Sequence, residues 1–177
     1  MKMKKLKPTV LLIITVLLVS AYSNKVFSQA ENKANKDTKI WRYEIECAGV
    51  GNDGTYSLKV WSYSKNPTVA TEQAKKNAVH GVIFKGFTGG GAGCTQKPLT
   101  NNPDLEQQQM TFFKDFFADG GKYMKYVNVS GDGAIEAGDR MKIGKEYKIG
   151  VYVSVQKDLL RKDLEAAGII KSLGNGF

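Results

Sequence analysis

Residues 147–155 read YKIGVYVSV, and their alternation decides how this chain folds. The odd positions hold Tyr147, Ile149, Val151, Val153 and Val155. The even positions hold Lys148, Gly150, Tyr152 and Ser154. Because successive side chains of a β-strand point to opposite faces, this period of two predicts a strand with one face in a core.

Two earlier stretches show the same alternation. The first has Trp41, Tyr43, Ile45 and Cys47 on one face, and the second, residues 56–63, has Tyr56, Leu58 and Val60. The turn formers of residues 49–54, GVGNDG, separate them. This order predicts an antiparallel hairpin with a longer loop.

Two Asn-Pro pairs mark helix starts, since Asn caps free N–H groups and Pro is tolerated in a first turn. Asn66-Pro67 predicts a helix to about Lys85, and Asn102-Pro103 predicts one to about Ala118. The first has a stripe of small side chains that favours packing on a sheet over a groove for a partner: Ala70, Ala74, Ala78 and Val82. The second has an apolar face of Leu105, Phe112, Phe113, Phe116 and Phe117.

The remaining elements complete an α+β domain. Residues 123–129 predict a strand, residues 130–140 a turn-rich connection, and residues 157–167 a helix with an inward face of Leu159, Leu160 and Leu164. The predicted order is β-β-α-α-β-β-α, an antiparallel sheet of about four strands with two long helices and a C-terminal helix packed on one face. We expect a single domain over residues 41–168 and a C-terminal tail over 169–177.

The first 30 residues have the pattern of a secretory signal peptide. Four lysines in residues 1–7 precede the apolar run of residues 10–19, VLLIITVLLV, which is too short to span a bilayer. Small residues favour cleavage after Ala30, and cleavage after Ser23 is the alternative. An uncleaved N-terminal anchor is the competing interpretation. Residues 31–40, ENKANKDTKI, are polar and predict a flexible lead-in.

Charge excludes one class of partner. The chain has 26 basic and 17 acidic residues, a formal charge of +9. Residues 1–30 contain five of the lysines and no acid, which leaves +4 for the other 147 residues. Mixed signs at this level suit a soluble surface and do not form the basic face of a nucleic-acid-binding protein.

The two cysteines, Cys47 and Cys94, are a disulfide candidate in an oxidising compartment. Cys47 ends a predicted strand and Cys94 lies in a glycine-rich loop. Two buried free thiols are the alternative, because cysteine packs readily as a small apolar residue.

Motifs for catalysis and cofactor binding do not withstand inspection. Residues 89–93, GGGAG, lack the Gly-Lys-Ser/Thr that a phosphate loop needs and predict a flexible surface loop instead. His80 is the only histidine, lies near a predicted helix end and suggests a partly exposed structural residue rather than a metal ligand. Asp132 and Asp139 lack the spacing of a calcium loop. We therefore expect no enzyme, no cofactor and no metal.

The chain resembles a family of small bacterial envelope proteins, typified by the twenty-kilodalton outer-membrane lipoprotein and the N-terminal domain of the flagellar T protein. The resemblance rests on the strand 58–63, the alanine stripe, the valine strand 151–155 and the leucines of the last helix. It implies an envelope location and a structural or assembly role. The chain departs from the family in having no cysteine near a cleavage site to accept a lipid, so any membrane association would pass through a partner.

These features predict an exported, non-enzymatic protein of the bacterial envelope, periplasmic or envelope-associated, that contacts an envelope protein or itself. The alternative is a periplasmic or secreted module that binds a glycan or peptide through exposed aromatic side chains. Trp61 and Tyr63 are the candidate contact residues, since amphipathic rings are enriched at interfaces. Core packing is the competing role for both.

Overall fold

A computed structural model describes residues 41–172 of the chain. The predicted signal peptide (1–30) and lead-in (31–40) lie outside the described residues, as do residues 173–177 of the predicted tail.

In this described part of the chain, five strands form one antiparallel sheet: β1 (Tyr43–Val50), β2 (Thr55–Ser64), β3 (Val127–Val129), β4 (Arg140–Ile143) and β5 (Glu146–Gln156). Their order is β1-β2-β5-β3, and β4 pairs with the other half of β5. The strand predicted over 147–155 is thus β5, the strand that joins the two sides of the sheet. Its apolar residues lie opposite those of β2, with Val153 facing Leu58 and Val151 facing Val60.

Residues 41–172 contain four helices, in the order α1 (Pro67–Phe84), α2 (Leu105–Gln108), α3 (Met110–Phe116) and α4 (Lys157–Ala166). Two 3-10 turns, Lys122–Tyr126 and Ala137–Asp139, lead into β3 and β4. The α+β class and the antiparallel sheet are confirmed.

Helix α1 begins and packs as its sequence predicts. The Asn66 side chain accepts a hydrogen bond from the Thr68 N–H at 2.9 Å. The stripe of Ala70, Ala74 and Ala78 is fully buried, and the helix packs on β2 and β5. Gly81 extends this close approach, because a Cβ there would lie 2.8 Å from the Ile45 side chain.

The second long helix is a correction. Residues 102–118 form a turn and two short helices, α2 and α3, separated at Gln109. Asn102 does cap the turn, since its side chain accepts from the Asp104 N–H at 3.0 Å. Leu105 of α2 and Phe113 of α3 lie on either side of the break at Gln109, and both are buried.

For three strands, the structure differs from what the sequence predicts. Trp41 precedes β1 and has a φ of +46°, so the first strand begins at Tyr43. Only Val127–Val129 of the stretch 123–129 is a strand. Strand β4 (Arg140–Ile143) follows the turn-rich connection predicted over residues 130–140 and shares only Arg140 with it, and no strand is predicted there. Its residues, RMKI, alternate polar and apolar, but the strand is only four residues long and all four are exposed, so the pattern corresponds to no buried face.

The packed part of the chain reaches beyond residue 168, because Ile170 is buried against the core. Among residues 41–172, no helix combines the length and the apolar character needed to cross a bilayer.

Candidate binding site

Trp41 is held in an unusual backbone conformation by its side chain. A φ of +46° is costly for a residue with a Cβ and persists where the surroundings fix it. The indole stacks on the His80 ring with centroids 3.7 Å apart, and its Nε1–H donates to Glu106 Oε1 at 2.9 Å. Phe117 contacts the indole edge-on at 5.1 Å. Trp41 is therefore a rigidly placed aromatic surface at the start of β1.

A chain of hydrogen bonds continues from Trp41 into the core. His80 Nδ1 lies 2.7 Å from the Tyr43 hydroxyl, and His80 Nε2 lies 3.3 Å from Glu106 Oε2. An ionised carboxylate only accepts, so Nε2 carries the proton and Tyr43 donates to Nδ1. The chain ties β1, α1 and α2 together around one neutral imidazole.

Electrostatics support these protonation states. Burial lowers the pKa of His80, outweighing the opposing effect of Glu106. Burial alone would raise the pKa of Glu106, but the hydrogen bonds from His80 and Trp41 hold it below its ordinary value. Burial, aided by the charge of Glu106, raises the pKa of Tyr43 above its ordinary 10. A neutral histidine beside an ionised glutamate is the arrangement expected at neutral pH.

The order Tyr–His–Glu matches that of an acid–base relay, but its chemistry differs. Tyr43 is 7% exposed and His80 is 4% exposed, so neither side chain is open to a substrate. A relay through His80 would also end on a phenol whose pKa is raised rather than lowered. What the chain of hydrogen bonds does is fix the Glu106 carboxylate and the Trp41 ring in place.

Beside this cluster lies a groove of about 780 Å³, which we call the Trp41 groove. Trp41 lines one side of the groove, and residues of helices α2 and α3 line the other. Phe113 and Phe117 are buried and line its floor, while Met110 lies at the junction of the two helices and is 58% exposed. A concave, mostly apolar surface of this volume is typical of a binding site.

Three charged side chains also line the Trp41 groove. Asp104 immediately precedes α2, Glu106 lies in α2, and Lys114 lies in α3. The Glu106 side chain is 37% exposed and lines the groove. The two carboxylates and one ammonium give the lining a net charge of −1.

A second cavity of about 530 Å³ lies between the start of α1 and the connection before β4. Thr68, Thr71 and Arg140 line it, together with Asp132 and the buried Glu72. The lining thus contains both signs of charge, and Glu72 pairs with Lys75 at 2.7 Å. Among residues 41–172, no three or more His, Cys, Asp or Glu side chains form a group that could hold a metal ion.

The candidate contact residues Trp61 and Tyr63 lie on neighbouring outward positions of β2, outside both cavities. Trp61 is only 9% exposed, and Tyr63 is half-buried. The Trp61 ring lies over Gly150 of β5, where a Cβ would be 3.0 Å from it. The structure thus places the pair on one sheet face but in no concave site.

Cations cover these rings. Lys59 and Lys148 lie 4.6 and 5.0 Å from the Trp61 ring centroid, and the Arg42 guanidinium lies 4.1 Å from that of Tyr63. The cations are themselves paired, Lys148 with Glu44 at 2.6 Å and Lys59 with Asp139. On this face of the sheet, the aromatic rings contact cations, and those cations form ion pairs with carboxylates of the same protein.

Cys47 and Cys94 are bridged in the structure, with their Cα atoms 5.5 Å apart. The structure thus has the predicted disulfide and not the alternative of two buried free thiols. The bridge fixes the glycine-rich loop to β1. The Cys47 N–H donates to the Thr88 carbonyl at 2.8 Å, and Phe87 pairs with Gln96 across the base of the loop. Part of the loop predicted to be flexible therefore covers the open edge of β1.

Sequence reasoning missed His80, Trp41 and Glu106 as one site. The sequence predicts a partly exposed His80 near a helix end. It is instead buried in the last turns of α1, between Trp41 and Phe84. A sole histidine one turn before an aromatic residue was the only signal available, and nothing in the sequence links it to a glutamate 26 positions later.

Comparisons with family models, with curated proteins and with solved structures find no match to this chain. The resemblance to the outer-membrane lipoprotein family stays a prediction from the residues quoted above.

Proposed function

We propose that this protein is exported to the bacterial envelope and acts there without catalysis, by binding another envelope protein. The observation that carries the proposal is the Trp41 groove, an open apolar surface beside an aromatic ring held in a strained conformation. Strain of this kind is retained where it pre-organises a functional surface. The disulfide fits the oxidising compartment to which the leader would direct the chain.

The alternative is glycan or peptide binding through the outward aromatic residues of β2. It has less support, because cations cover the rings of Trp61 and Tyr63. A ligand stacking on either ring would have to displace a charged side chain that is already paired.

Site-specific photocross-linking in the native cell tests the proposal. A photoreactive amino acid replaces Met110 in the groove or Val50, which is 49% exposed at the far end of β1. We expect the Met110 probe to capture one recurrent envelope protein, identified by mass spectrometry, and the Val50 probe not to capture it.

Two results would count against the proposal. A soluble monomer with no adduct from either probe would remove the binding role. Capture of the same partner from both positions would show that the contact is not directed by the groove.

A further inference from the structure

We infer that the Trp41 groove binds a lysine side chain carried on an apolar segment of a protein partner. The inference deepens the proposed function and rests on it. Its grounds are the charge of the groove, the geometry of its carboxylate and the character of its walls.

The Glu106 carboxylate is fixed but not saturated. Trp41 donates to one oxygen at 2.9 Å and His80 to the other at 3.3 Å. A carboxylate offers about four lone-pair sites, so roughly two remain. The side chain is 37% exposed and lines the groove, so a ligand in the groove can contact it. A charged acceptor that the protein already holds in position is suited to a cationic donor.

The neighbouring groups favour a cation over an anion. Asp104 adds a second negative charge to the lining, and Lys114 is the only cation of the described lining. The indole of Trp41 also borders the groove, and an aromatic face attracts a cation within about 6 Å. An anionic group would meet two carboxylates and the negative face of a ring.

The apolar side chains of the groove indicate which kind of peptide segment carries the cation. Phe113 and Phe117 form an apolar floor, and Met110 presents a flexible, exposed thioether at the rim. Methionine adapts to varied apolar shapes and is common at binding surfaces. A lysine with its four methylene groups, flanked by leucine side chains, matches a groove lined by two carboxylates and by apolar side chains.

Two peptides test the inference against the processed protein purified from its cell. The probes are acetyl-Ala-Leu-Lys-Leu-Ala-amide and the same peptide with Glu in place of Lys, titrated by calorimetry. We expect the lysine peptide to bind at least about tenfold more tightly, a difference of about 1.4 kcal/mol, because only the lysine can donate a charge-assisted hydrogen bond to Glu106.

Three variants locate the binding. Glu106→Gln should remove most of the preference for the lysine peptide. Met110→Lys should weaken the binding of that peptide by about tenfold through like charge, and its exposed position leaves the fold intact if Glu106→Gln does not fold. Glu44→Gln, on the sheet face away from the groove, should leave the preference unchanged.

The inference is overturned if the glutamate peptide binds as tightly as the lysine peptide, or if neither groove variant changes the affinity. Should the lysine peptide fail while the Met110 photocross-linker still captures a partner, the proposed binding role would stand and only the assignment of a lysine would fall.

Discussion

Gly89 lies where the loop after α1 crosses the edge of β1. A Cβ at this position would be 2.4 Å from the carbonyl oxygen of Cys47, a backbone atom that the disulfide and the strand hold in place. A Cβ on Gly90, the next residue, would meet no atom within 4 Å. Two adjacent glycines thus differ in how much room they leave for a side chain.

Gly89→Ala is expected to lower the free energy of unfolding by about 1–3 kcal/mol, because close contact with fixed backbone forces the loop away from β1. Gly90→Ala is the matched control and should change it by less than about 0.5 kcal/mol. Urea denaturation followed by fluorescence measures both. Equal stability of the two variants would show that the loop does not press on Cys47.

At the scale of elements, the disulfide closes the stretch from β1 through α1 and the glycine-rich loop. The two cysteines are 47 residues apart in the sequence. A crosslink over a span of this length restricts the unfolded chain and stabilises the native state by about 4 kcal/mol in the chain-entropy model. The loop is also the cover of the β1 edge, an exposed strand edge being a site for unwanted pairing.

The double replacement Cys47→Ser with Cys94→Ser is expected to lower the free energy of unfolding by about 2–4 kcal/mol. It should also make the protein more prone to self-association, because the β1 edge loses its cover. Urea denaturation and light scattering measure the two effects. Wild-type protein treated with a reductant is the control and should behave like the double variant. Unchanged stability in both would show that the hydrogen bonds of the loop suffice.

Elements with local signals were predicted well. The alternation of β5, the Asn66 cap and the alanine stripe of α1 each depend on residues close in sequence, and their bounds are right to within one or two residues. The break at Gln109 and strand β4 were missed. No local signal marks either one: Gln109 lies in a run of ordinary helix formers, and β4 is a four-residue exposed strand that pairs with β5.

At the scale of the molecule, the site is made of parts that the chain brings from far apart. Trp41 and Glu106 are 65 residues apart, and α1 carries His80 between them. The sequence predicts a strand, a helix and a second helix, but not the angle at which they meet. The outward positions of Trp61 and Tyr63 were predictable from β2 alone, whereas the cations that cover them come from β5 and the residue before β1 as well as from β2.

This convergence on one imidazole gives the whole fold a dependence on pH. His80 faces Tyr43 and Glu106, with Lys85 nearby, and burial lowers its pKa from the ordinary 6.5. The unfolded chain therefore binds a proton more tightly than the native one. The contribution of His80 to stability is fully present above pH 6.5 and is lost as the pH falls through its lowered pKa. Each unit of lowering corresponds to about 1.4 kcal/mol.

Because His80 is the one histidine of the chain, we assign the change in the free energy of unfolding between pH 7 and pH 5 to this side chain. The free energy of unfolding of the wild type, from urea denaturation, should fall between pH 7 and pH 5, and that of His80→Gln should stay nearly level. Below about pH 4.5 both proteins should lose stability, since the lowered pKa of Glu44 and Asp163 comes from partners that do not involve residue 80. Parallel curves between pH 7 and pH 5 would refute the assignment. A level His80→Gln curve would show that the neutral imidazole between Trp41 and Glu106 holds β1, α1 and α2 together at neutral pH.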